Sequence, residues 1–473
     1  MSDIERVDVA IVGAGTAGLA ALREVRKRTD DFVLINAGPY GTTCARVGCM
    51  PSKTLIAAAN AFHARTRFDE FGIRGADALS ADIPAILHRV RVLRDHFVSG
   101  VLKATEGLGA RNIAAHARLD GEGRLIVGDR VIEARQILLA PGSSPIVPEP
   151  WRAFGDRIIT SDTLFEQQDL PRRIGVVGLG ALGVEIAQAL ARLGLEVHGF
   201  NRGGRIAGIS DDRIARAAKD LLGQEFAIHL GAQVELSQAD GGIGMRWDGG
   251  SVVVDKVIAA VGRRPNLQGL GLETLGVPLD EKGMPEVDPH TMRIGGTSVL
   301  LAGDADGHRP LLHEAADDGH IAGLNATGET PIRLSRRTPL SVVFSDPQIV
   351  AVGQRASELD SGTTLVGEVS FTAQGRARTM LENHGLLRVY ASREDGRLLG
   401  AEMVAPAAEH MGHLLALAIG RKLTVHDLLR MPFYHPTLEE GLRTALRMVA
   451  RELPPCSISD LAGCGPMGAE ALE

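Results

Sequence analysis

The feature that most constrains the fold of this chain is a glycine-rich motif that occurs twice, each time between an apolar strand and a helix. The first copy contains Gly13, Gly15 and Gly18 and follows the apolar run at residues 7–12. In such a motif the first glycine makes a tight turn, the second lets the backbone approach a pyrophosphate, and the third permits close packing of helix on strand. With a second apolar strand at residues 32–35, the sequence predicts a βαβ unit that binds a dinucleotide.

The second copy contains Gly178, Gly180 and Gly183, between predicted strands at residues 174–177 and 196–200. The two motifs start about 165 residues apart, which is far more than one such unit occupies. Each motif therefore begins a domain of its own, and the chain is predicted to bind two dinucleotides.

The residue after each second strand is an asparagine where a dinucleotide site often has an acid. Asn36 can still bond a ribose hydroxyl, so we expect weaker or differently oriented adenosine binding there. Asn201 is followed by Arg202 and Arg205, and an arginine accommodates a 2′-phosphate that a carboxylate would repel. This pattern favours NADPH or use of both coenzymes. The alternative is that these arginines lie on a solvated loop and NADH is the donor.

Two cysteines come after the first unit in the stretch Cys44-Ala-Arg-Val-Gly-Cys49-Met-Pro-Ser-Lys53. On a regular helix, residues five apart lie about 7.5 Å apart along the axis, beyond the range of roughly 4.4–6.8 Å between Cα atoms that suits a disulfide. The pair can bridge only across an irregular first turn, which Gly48 allows, while Pro51 suits the start of the helix that comes next. A strained bridge near a helix N-terminus predicts a redox-active pair. The alternative is a structural or merely buried pair of thiols.

A second polar motif lies near the C-terminal end, where His435 precedes Pro436 and Glu440 follows. Pro436 favours an extended His435 just before a helix, and Glu440 on the first turns could reach one ring nitrogen. An imidazole oriented by a carboxylate is suited to general acid and base catalysis near neutral pH. The alternative is a helix-capping histidine beside two solvated glutamates.

The chain has 473 residues and 57 glycines, a composition that favours several domains with many tight cofactor-binding turns. Its formal net charge of −7 argues against a nucleic-acid or membrane-surface partner. No apolar run approaches the about 20 residues that span a bilayer, and no targeting signal is visible, so we expect a cytoplasmic protein. The four cysteines form no paired CxxC motif, so no metal site is predicted.

These motifs, in this order, resemble the class I pyridine nucleotide-disulfide oxidoreductases, and they are most similar to the dihydrolipoyl dehydrogenase branch of that family. The likeness extends from about residue 7 to residue 451, and residues 44–53 and 435–440 are its most specific parts. The fold it implies is α/β plus α+β, with two Rossmann-like dinucleotide-binding domains and a C-terminal α+β dimerisation domain. The expected segments are an FAD-binding domain at 1–146, an NAD(P)-binding domain at 147–264, a central segment completing the FAD domain at 265–334, the dimerisation domain at 335–452 and a tail at 453–473.

The resemblance implies an FAD enzyme that exchanges electrons between NAD(P)(H) and a lipoyl-type dithiol. Cys49 would face the flavin and Cys44 the substrate, while Lys53 would lie near the flavin with Glu185 as its partner. The family's histidine comes from the other subunit, so His435 and Glu440 would complete the partner's site in a homodimer. The substrate would be a small dithiol or disulfide, or a lipoyl-carrying protein.

The residues that the resemblance assigns to FAD are Gly13, Gly15, Gly18, Asn36, Thr43, Lys53, Ala117, Gly142, Asp304 and Leu312. Those that it assigns to the coenzyme are Gly178, Gly180, Gly183, Asn201, Arg202, Arg205 and Gly262. The chain departs from the family at both asparagines and at Thr42, where a second glycine is usual.

Other functions stay open at this stage. One is NADPH-dependent reduction of another disulfide, a metal ion or a quinone, and another is a transhydrogenase-like reaction. A flavin-bound subunit without enzymatic activity belongs to a different class, and the complete set of thiols, lysine, glutamate and histidine argues against it. In the tail, Cys456 and Cys464 could form an accessory dithiol relay, or they could be incidental thiols on an ordinary tail.

Overall fold

The computed structural model describes residues 4–457 and 459–465, so residues 1–3 of the predicted first domain, and 458 and 466–473 of the predicted tail, lie outside the described residues. The described part of the chain forms twenty-two strands and twelve α-helices. The strands are β1 Ile4–Val12, β2 Phe32–Ile35, β3 Asn112–Ile113, β4 Ala117–Leu119, β5 Arg124–Val127, β6 Arg130–Leu139, β7 Ser143–Pro145, β8 Ile158–Ile159, β9 Arg173–Val177, β10 Glu196–Asn201, β11 Ala227–Leu230, β12 Glu235–Ala239, β13 Gly242–Trp247, β14 Gly250–Val254, β15 Lys256–Ala259, β16 Arg263–Pro265, β17 Val299–Leu301, β18 Leu340–Val343, β19 Gln348–Gly353, β20 Thr364–Ser370, β21 Leu386–Ser392 and β22 Leu398–Ala405. The helices are α1 Thr16–Val25, α2 Thr43–Arg46, α3 Cys49–His63, α4 Ile83–Glu106, α5 Ser161–Leu164, α6 Ala181–Arg192, α7 Asp212–Leu222, α8 Leu312–Thr327, α9 Gly375–Thr379, α10 Ala408–Gly420, α11 Val425–Leu429 and α12 Glu440–Ala450.

The first sheet has seven strands in the order β3-β2-β1-β6-β5-β4, with β17 also paired to β6. Strand β1 is parallel to both β2 and β6, and its residues Val9, Ala10 and Ile11 are fully buried. A strand that is apolar on both sides must be covered on both faces, which is why this run has no polar alternation. Helices α1 and α8 pack against each other beside the sheet, and β1, α1 and β2 together form the first βαβ unit.

The second sheet is entirely parallel, in the order β11-β10-β9-β15-β8. Strands β9 and β10 with the helix α6 between them form the second βαβ unit. The three-stranded antiparallel sheet β12-β13-β14 packs beside it through an apolar cluster that includes Met245 and Phe200. Helix α6 also contacts α3 of the first sheet's domain, which brings the two βαβ units together.

The third large sheet is antiparallel, in the order β18-β19-β22-β21-β20, with α10, α11 and α12 packed around it. Its core contains Val350, Val389 and Met403, all fully buried. With the two parallel-strand units this gives the predicted α/β plus α+β fold, which is confirmed. The segment boundaries at residues 146, 264, 334 and 452 stay predictions.

Several elements differ from the sequence-based expectation in their extent. Helix α1 begins at Thr16, directly after Gly15 and inside the glycine motif, because the glycine turn leads straight into the helix. Strands β19 and β22 were not predicted, since their continuous apolar runs lack the alternation that marks a half-buried strand. In the described residues no helix has both the length and the apolar character needed to cross a membrane.

Candidate active site

The turn after β1 can be made only by glycine at two of its three positions. Gly13 has a φ of +107°, and a Cβ there would lie 2.1 Å from the carbonyl oxygen of Ala140. A Cβ at Gly18 would lie 1.9 Å from the carbonyl oxygen of Gly13. At Gly15 a Cβ would meet nothing within 4 Å, so the bare backbone borders open space. This is the arrangement that lets a phosphate approach the main chain.

A cavity of about 1050 Å³ opens beside this turn. Its walls include most of the residues that the sequence assigned to FAD: Gly13, Gly15, Asn36, Thr43, Ala117 and Gly142. Helix α1 starts at the cavity with no side chain bonded to its first N–H groups and no acid in its first turn. These N–H groups and the helix dipole favour a pyrophosphate. The open backbone and the uncapped helix therefore fit a bound dinucleotide such as FAD.

Asn36 holds the glycine turn in shape. Its Oδ1 accepts a hydrogen bond from the backbone N–H of Ala14 at 3.1 Å, and its Nδ2 donates to the carbonyl oxygen of Gly38 at 2.7 Å. The amide can satisfy both an N–H and a carbonyl, which a carboxylate cannot. These two hydrogen bonds explain why an asparagine suits this position, independently of the predicted contact to ribose.

The turn after β9 repeats this geometry closely. A Cβ at Gly178 would lie 2.2 Å from the carbonyl oxygen of Ala260, and one at Gly183 would lie 1.8 Å from the carbonyl oxygen of Gly178. At Gly180 a Cβ would again meet nothing within 4 Å. Gly180 and Gly183 border a cavity of about 1240 Å³ that Gly262 also lines. Helix α6 starts there without a side-chain cap and without an acid in its first turn, so this turn also fits a dinucleotide.

Asn201 plays the same part as Asn36. Its Oδ1 accepts from the backbone N–H of Leu179 at 3.2 Å, and its Nδ2 donates to the carbonyl oxygen of Arg205 at 2.7 Å. The side chain therefore fixes both the glycine turn and the start of the loop between β10 and α7.

A separate cavity of about 640 Å³ lies between that loop and α7. Arg205, Arg216 and Lys219 lie on its wall together with Asp212, whose carboxylate pairs with Arg205 at 2.6 Å. Three cations and one anion leave the wall positive, which suits a phosphate. Arg202, which the sequence also assigned to this function, is exposed but does not line the cavity.

Cys44 lies in α2 and Cys49 is the first residue of α3, and the helix is broken between them. Gly48 has φ −119° and ψ −116°, which are not helical values, so the short helix α2 and the longer α3 are separate, and the break brings the thiols together. Both are free thiols, and they are joined by a hydrogen bond. The irregular turn that the spacing required is therefore present.

The two thiols differ in acidity. The hydrogen bond from Cys44, helped by the positive charge of Lys53, lowers the pKa of Cys49 to about 6. The same hydrogen bond and burial raise the pKa of Cys44 above its usual range. Cys49 is therefore a thiolate at neutral pH, stabilised by the neutral Cys44 thiol.

The thiols border a small cavity of about 180 Å³ that joins the two nucleotide cavities. Gly15, Thr43 and Gly142 are shared with the cavity at the first glycine turn, and Asp304 is shared with the cavity at the second. Leu312, at the start of α8, also lines it. The thiol pair thus lies where both nucleotide sites meet.

Lys53 and Glu185 link the two βαβ units. The Lys53 Nζ lies 2.8 Å from Glu185, whose side chain is only 4% exposed. Glu185 also accepts a hydrogen bond from the backbone N–H of Phe344 at 2.9 Å, and Lys53 lies over the Phe344 ring at 4.5 Å from its centroid. Phe344 was not identified from the sequence, because it lies far along the chain from both residues and carries no motif.

Asp304 follows β17 and points toward the junction of the cavities. Its Oδ2 accepts a hydrogen bond from the hydroxyl of Ser143 at 2.7 Å, and Arg263 donates a hydrogen bond to the same Ser143 oxygen at 2.8 Å. This network fixes one carboxylate oxygen of Asp304, a residue that the family resemblance assigns to FAD.

His435 is oriented by Glu440, as the spacing predicted. The His435 Nδ1 lies 3.1 Å from the Glu440 Oε2, which also accepts from the backbone N–H of Thr437 at 3.1 Å. Arg443 donates to the other carboxylate oxygen at 3.0 Å. Arg443 was missed, although its spacing of three residues from Glu440 on a helix is a usable signal. His435 is not among the described residues that line the small cavity at the two thiols, called the thiol cavity below.

The tail thiols lie apart from this site. Cys456 is half-buried against the core of the third sheet, and Cys464 is exposed. Both are free thiols, so the dithiol relay stays a hypothesis. Among the residues that the structure describes, no group of three or more histidines, cysteines or acids is arranged to hold a metal ion.

Residues 7–319 of the chain match the family described as pyridine nucleotide-disulphide oxidoreductase, and residues 340–446 match its dimerisation domain. The second match supports a homodimer. The dihydrolipoyl dehydrogenase of Bacillus subtilis is 30% identical over 452 residues, which cover 93% of this chain and 97% of the relative. A mercuric reductase of Acidithiobacillus ferrooxidans is also 30% identical, over 96% of this chain and 85% of the relative.

Solved structures give the same picture. LpdA from Mycobacterium tuberculosis is 26% identical, with a TM-score of 0.81 over 94% of this chain and 99% of that one. The Cu(II) complex of the HOCl-induced flavoprotein disulfide reductase RclA from Escherichia coli has a TM-score of 0.82 over 94% of this chain and 100% of that one. At 23% identity this second likeness shows the fold alone.

Proposed function

The chain belongs to the pyridine nucleotide-disulphide oxidoreductase family, whose members use FAD and NAD(P)H, and from that premise we propose that its substrate is a lipoyl-type dithiol. The observation that supports this most is the pair Cys44 and Cys49, held together at the junction of two dinucleotide cavities. A dithiol of this kind exchanges with another dithiol through a mixed disulfide.

In the dithiol-oxidising direction, the reaction starts from a Cys44–Cys49 disulfide. One substrate thiolate attacks the Cys44 sulfur, so that a mixed disulfide forms and Cys49 leaves as a thiolate. The second substrate thiol then attacks the substrate's first sulfur, which is bonded to Cys44 in the mixed disulfide, and Cys44 is released. The substrate ends as a cyclic disulfide, Cys44 ends as a thiol and Cys49 as a thiolate. Of the two protons that the substrate thiols lose, one is therefore taken up by Cys44 and one is released.

The positive charge of Lys53, which also lowers the pKa of Cys49, still stabilises the Cys49 thiolate when Cys44 is held in the mixed disulfide, so Cys49 is the better leaving group of the two. Attack at Cys44 is therefore favoured over attack at Cys49. This supports the assignment of Cys44 to the substrate and of Cys49 to the flavin, the roles that the family resemblance implies.

FAD, when bound, carries the electron pair between the thiols and the nicotinamide coenzyme. The residues that would hold it are those around the first glycine turn, with Asp304 and Leu312 on the wall of the adjoining thiol cavity. Lys53, paired with the buried Glu185, contributes a positive charge beside the Cys49 sulfur and favours its thiolate form.

His435 is proposed as the base that accepts a proton from the substrate thiol. Glu440 bonds one ring nitrogen at 3.1 Å and leaves the other for the substrate. Because His435 does not line the thiol cavity of its own chain, the base at each site would come from the partner subunit. The site would then exist only in the homodimer.

The second glycine turn is proposed to bind the coenzyme, with the positive cavity beside Arg205 holding a 2′-phosphate. This favours NADPH, although Asp212 already pairs with Arg205 and a phosphate would have to compete for it. The same observation favours a second candidate function, reduction of a different small disulfide by NADPH, since the thiol exchange described above also runs in reverse.

The test is a set of steady-state rates with NADH and NADPH against lipoamide, glutathione disulfide, mercuric ion and a quinone. Among these acceptors we expect the highest kcat/KM with lipoamide. Cys44→Ser should abolish lipoamide turnover while quinone reduction persists. A Cys44→Ser enzyme that still turns over lipoamide would refute the assignment of Cys44, and a preference for glutathione disulfide would support the second candidate.

A further inference from the structure

Glu402 is a charged residue in β22 that is fully buried and lies far along the chain from both glycine turns. Its Oε2 accepts hydrogen bonds from the backbone N–H of Ser210 at 2.8 Å and of Asp211 at 3.1 Å. Its Oε1 accepts from the Ser210 hydroxyl and from the backbone N–H of Ala356 at 3.1 Å. Four donors thus satisfy a carboxylate that would otherwise be very costly to bury.

Two of the donating residues, Ser210 and Asp211, form the end of the loop between β10 and α7. Asp211 caps α7 by accepting from the backbone N–H of Arg213 at 2.9 Å. Its other oxygen accepts from the hydroxyl of Tyr390 at 2.9 Å and from the guanidinium of Arg388, both on β21. The third sheet therefore holds the start of α7 through two carboxylates, one from each side of the contact.

The same loop and helix form the positive cavity. Arg205 belongs to the loop, and Arg216 and Lys219 belong to α7. The start of the loop is fixed by Asn201, whose amide donates to the carbonyl oxygen of Arg205. The end of the loop is fixed by Glu402. Glu402 is thus bonded to the segment that carries all three cations, although it bonds none of the three itself.

We propose that Glu402 is a positioning residue for the phosphate-bearing end of the nicotinamide coenzyme and acts through Ser210 and Asp211. The inference rests on the proposed function, because it takes the cavity lined by Arg205 as the site of the 2′-phosphate. It makes the third sheet, which lies outside both βαβ units, a determinant of coenzyme choice.

The test is Glu402→Gln in the FAD-loaded enzyme. The amide keeps the shape of the side chain but places an NH₂ group against a backbone N–H donor, so at least one of the four hydrogen bonds is lost, and the negative charge that strengthens the bonds to the loop is removed. We expect KM for NADPH to rise about fivefold or more with kcat little changed, since an interaction used equally in the ground and transition states affects KM alone. KM for NADH should change less, because NADH has no 2′-phosphate to place.

Asp346→Asn is the matched control. Asp346 pairs with Arg192 of α6 at 2.8 Å, so this variant also weakens a polar contact to the second βαβ unit, but among the described residues the hydrogen-bond partners of this pair are Asn60, Gln188 and Glu225 and not residues of the loop. We expect the preference for NADPH over NADH to be unchanged in this variant. A merely structural role for Glu402 would lower the melting temperature in both variants and leave both preferences equal to that of wild type, which would overturn the proposal.

Binding of 2′,5′-ADP and of 5′-AMP to the same proteins, measured by calorimetry, tests the coenzyme assignment of the cavity and the role of Glu402 separately. If wild type binds 2′,5′-ADP more tightly and Glu402→Gln loses that difference, the proposal is supported. If wild type prefers 2′,5′-ADP and the variant keeps the full preference, Glu402 has no positioning role although the coenzyme assignment stands. If wild type shows no preference, the coenzyme assignment itself is wrong, and the proposal falls with it.

Should Glu402→Gln fail to fold, Ser210→Ala serves in its place. It removes the hydroxyl that donates to Glu402 and accepts from the backbone N–H of Ser357, and it leaves the buried carboxylate with three donors. The expected change in KM for NADPH has the same direction and a smaller size. An unchanged ratio of the two KM values in a folded Ser210→Ala protein would contradict the proposal.

Discussion

The two βαβ units begin almost identically and then diverge after their second strands. In each unit a first glycine would clash with a carbonyl oxygen at 2.1 or 2.2 Å if it carried a Cβ, and a third glycine would clash at 1.9 or 1.8 Å. In each, an asparagine at the end of the second strand accepts a hydrogen bond from the residue after the first glycine, Ala14 in one and Leu179 in the other.

The segment after the second strand differs between the two units. After β2 the chain forms α2 and α3 with the thiol pair, and after β10 it forms the loop of Arg205 and then α7. The shared turn can bind a pyrophosphate in either unit, because that contact needs only backbone and helix dipole. The difference in chemistry therefore comes from the inserted segments, one of which carries sulfur and the other positive charge.

The largest effect, loss of nucleotide binding, is expected from substitutions in the glycine turn that the two units share, made in one unit at a time. Gly13→Ala places a Cβ 2.1 Å from a carbonyl oxygen, so the turn must shift, and we expect purified protein without FAD absorbance. Gly178→Ala makes the corresponding clash in the second unit. It should keep FAD while kcat/KM for the coenzyme falls at least about a hundredfold, which corresponds to roughly 3 kcal/mol.

Gly15→Ala and Gly180→Ala are the controls, because a Cβ at these positions meets no protein atom within 4 Å. Both variants should fold with normal circular dichroism and lose affinity only for the nucleotide. If Gly178→Ala also lost FAD, the two units would not bind their nucleotides independently.

The next largest effect concerns the sulfur segment of the first unit. Since the pKa of Cys49 is lowered to about 6 mainly by the hydrogen bond from Cys44, Cys44→Ala should return it toward its usual range. Cys49 is in the reactive thiolate form above its pKa, so its alkylation rate should rise with pH around 6 in the reduced parent enzyme. In the variant the rise should occur above pH 7, and at pH 6.5 the rate should be at least about tenfold lower.

The measurement is the rate of iodoacetamide labelling at Cys49 from pH 5 to pH 9, in a background with Cys456→Ser and Cys464→Ser. The parent of this background, with both active-site thiols intact, provides the reference curve. Identical pH profiles with and without Cys44 would show that Lys53 alone sets the acidity of Cys49.

The features of the two units that are local in sequence could be predicted from it. The glycine spacing, the five-residue separation of Cys44 and Cys49 and the five-residue separation of His435 and Glu440 each specify a contact within one turn or one helix start. These contacts are present at the expected positions. Local geometry is limited by few torsion angles, so spacing alone carries much of the information.

The contacts that join distant segments could not be predicted in the same way. Nothing near Glu185 in sequence points to Phe344, and nothing near Ser210 points to Glu402, because such pairs are set by how whole sheets pack. The two asparagines show an intermediate case. Their position was recognised, but their use in bonding the glycine turn depends on main-chain geometry that residue type alone does not reveal.

A moderate effect is expected from the positive segment of the second unit. Arg205→Ala removes one of three cations from the cavity beside α7, and we expect KM for NADPH to rise about tenfold, with KM for NADH little changed. Arg202→Ala is the control, since Arg202 is exposed and does not line this cavity. KM for NADPH is measured for both variants in 50 mM and in 300 mM salt. If both variants raised this KM by the same factor of about two, the arginines would contribute only a general electrostatic attraction.

The smallest effect tests a strain that both inserted segments share. Thr42 precedes α2 with φ +57°, and Ala207 lies in the loop after β10 with φ +56°, a backbone region that disfavours any residue with a Cβ. Thr42→Gly and Ala207→Gly should each stabilise the protein by about 0.5–1 kcal/mol in urea unfolding, the former less because it also loses the hydrogen bond from Ala45. Ala217→Gly, in the middle of α7, should destabilise by about 1 kcal/mol. If all three glycine variants were destabilised alike, the positive φ values at Thr42 and Ala207 would carry no strain energy. The comparison of the two inserted segments would then rest on their side-chain chemistry alone.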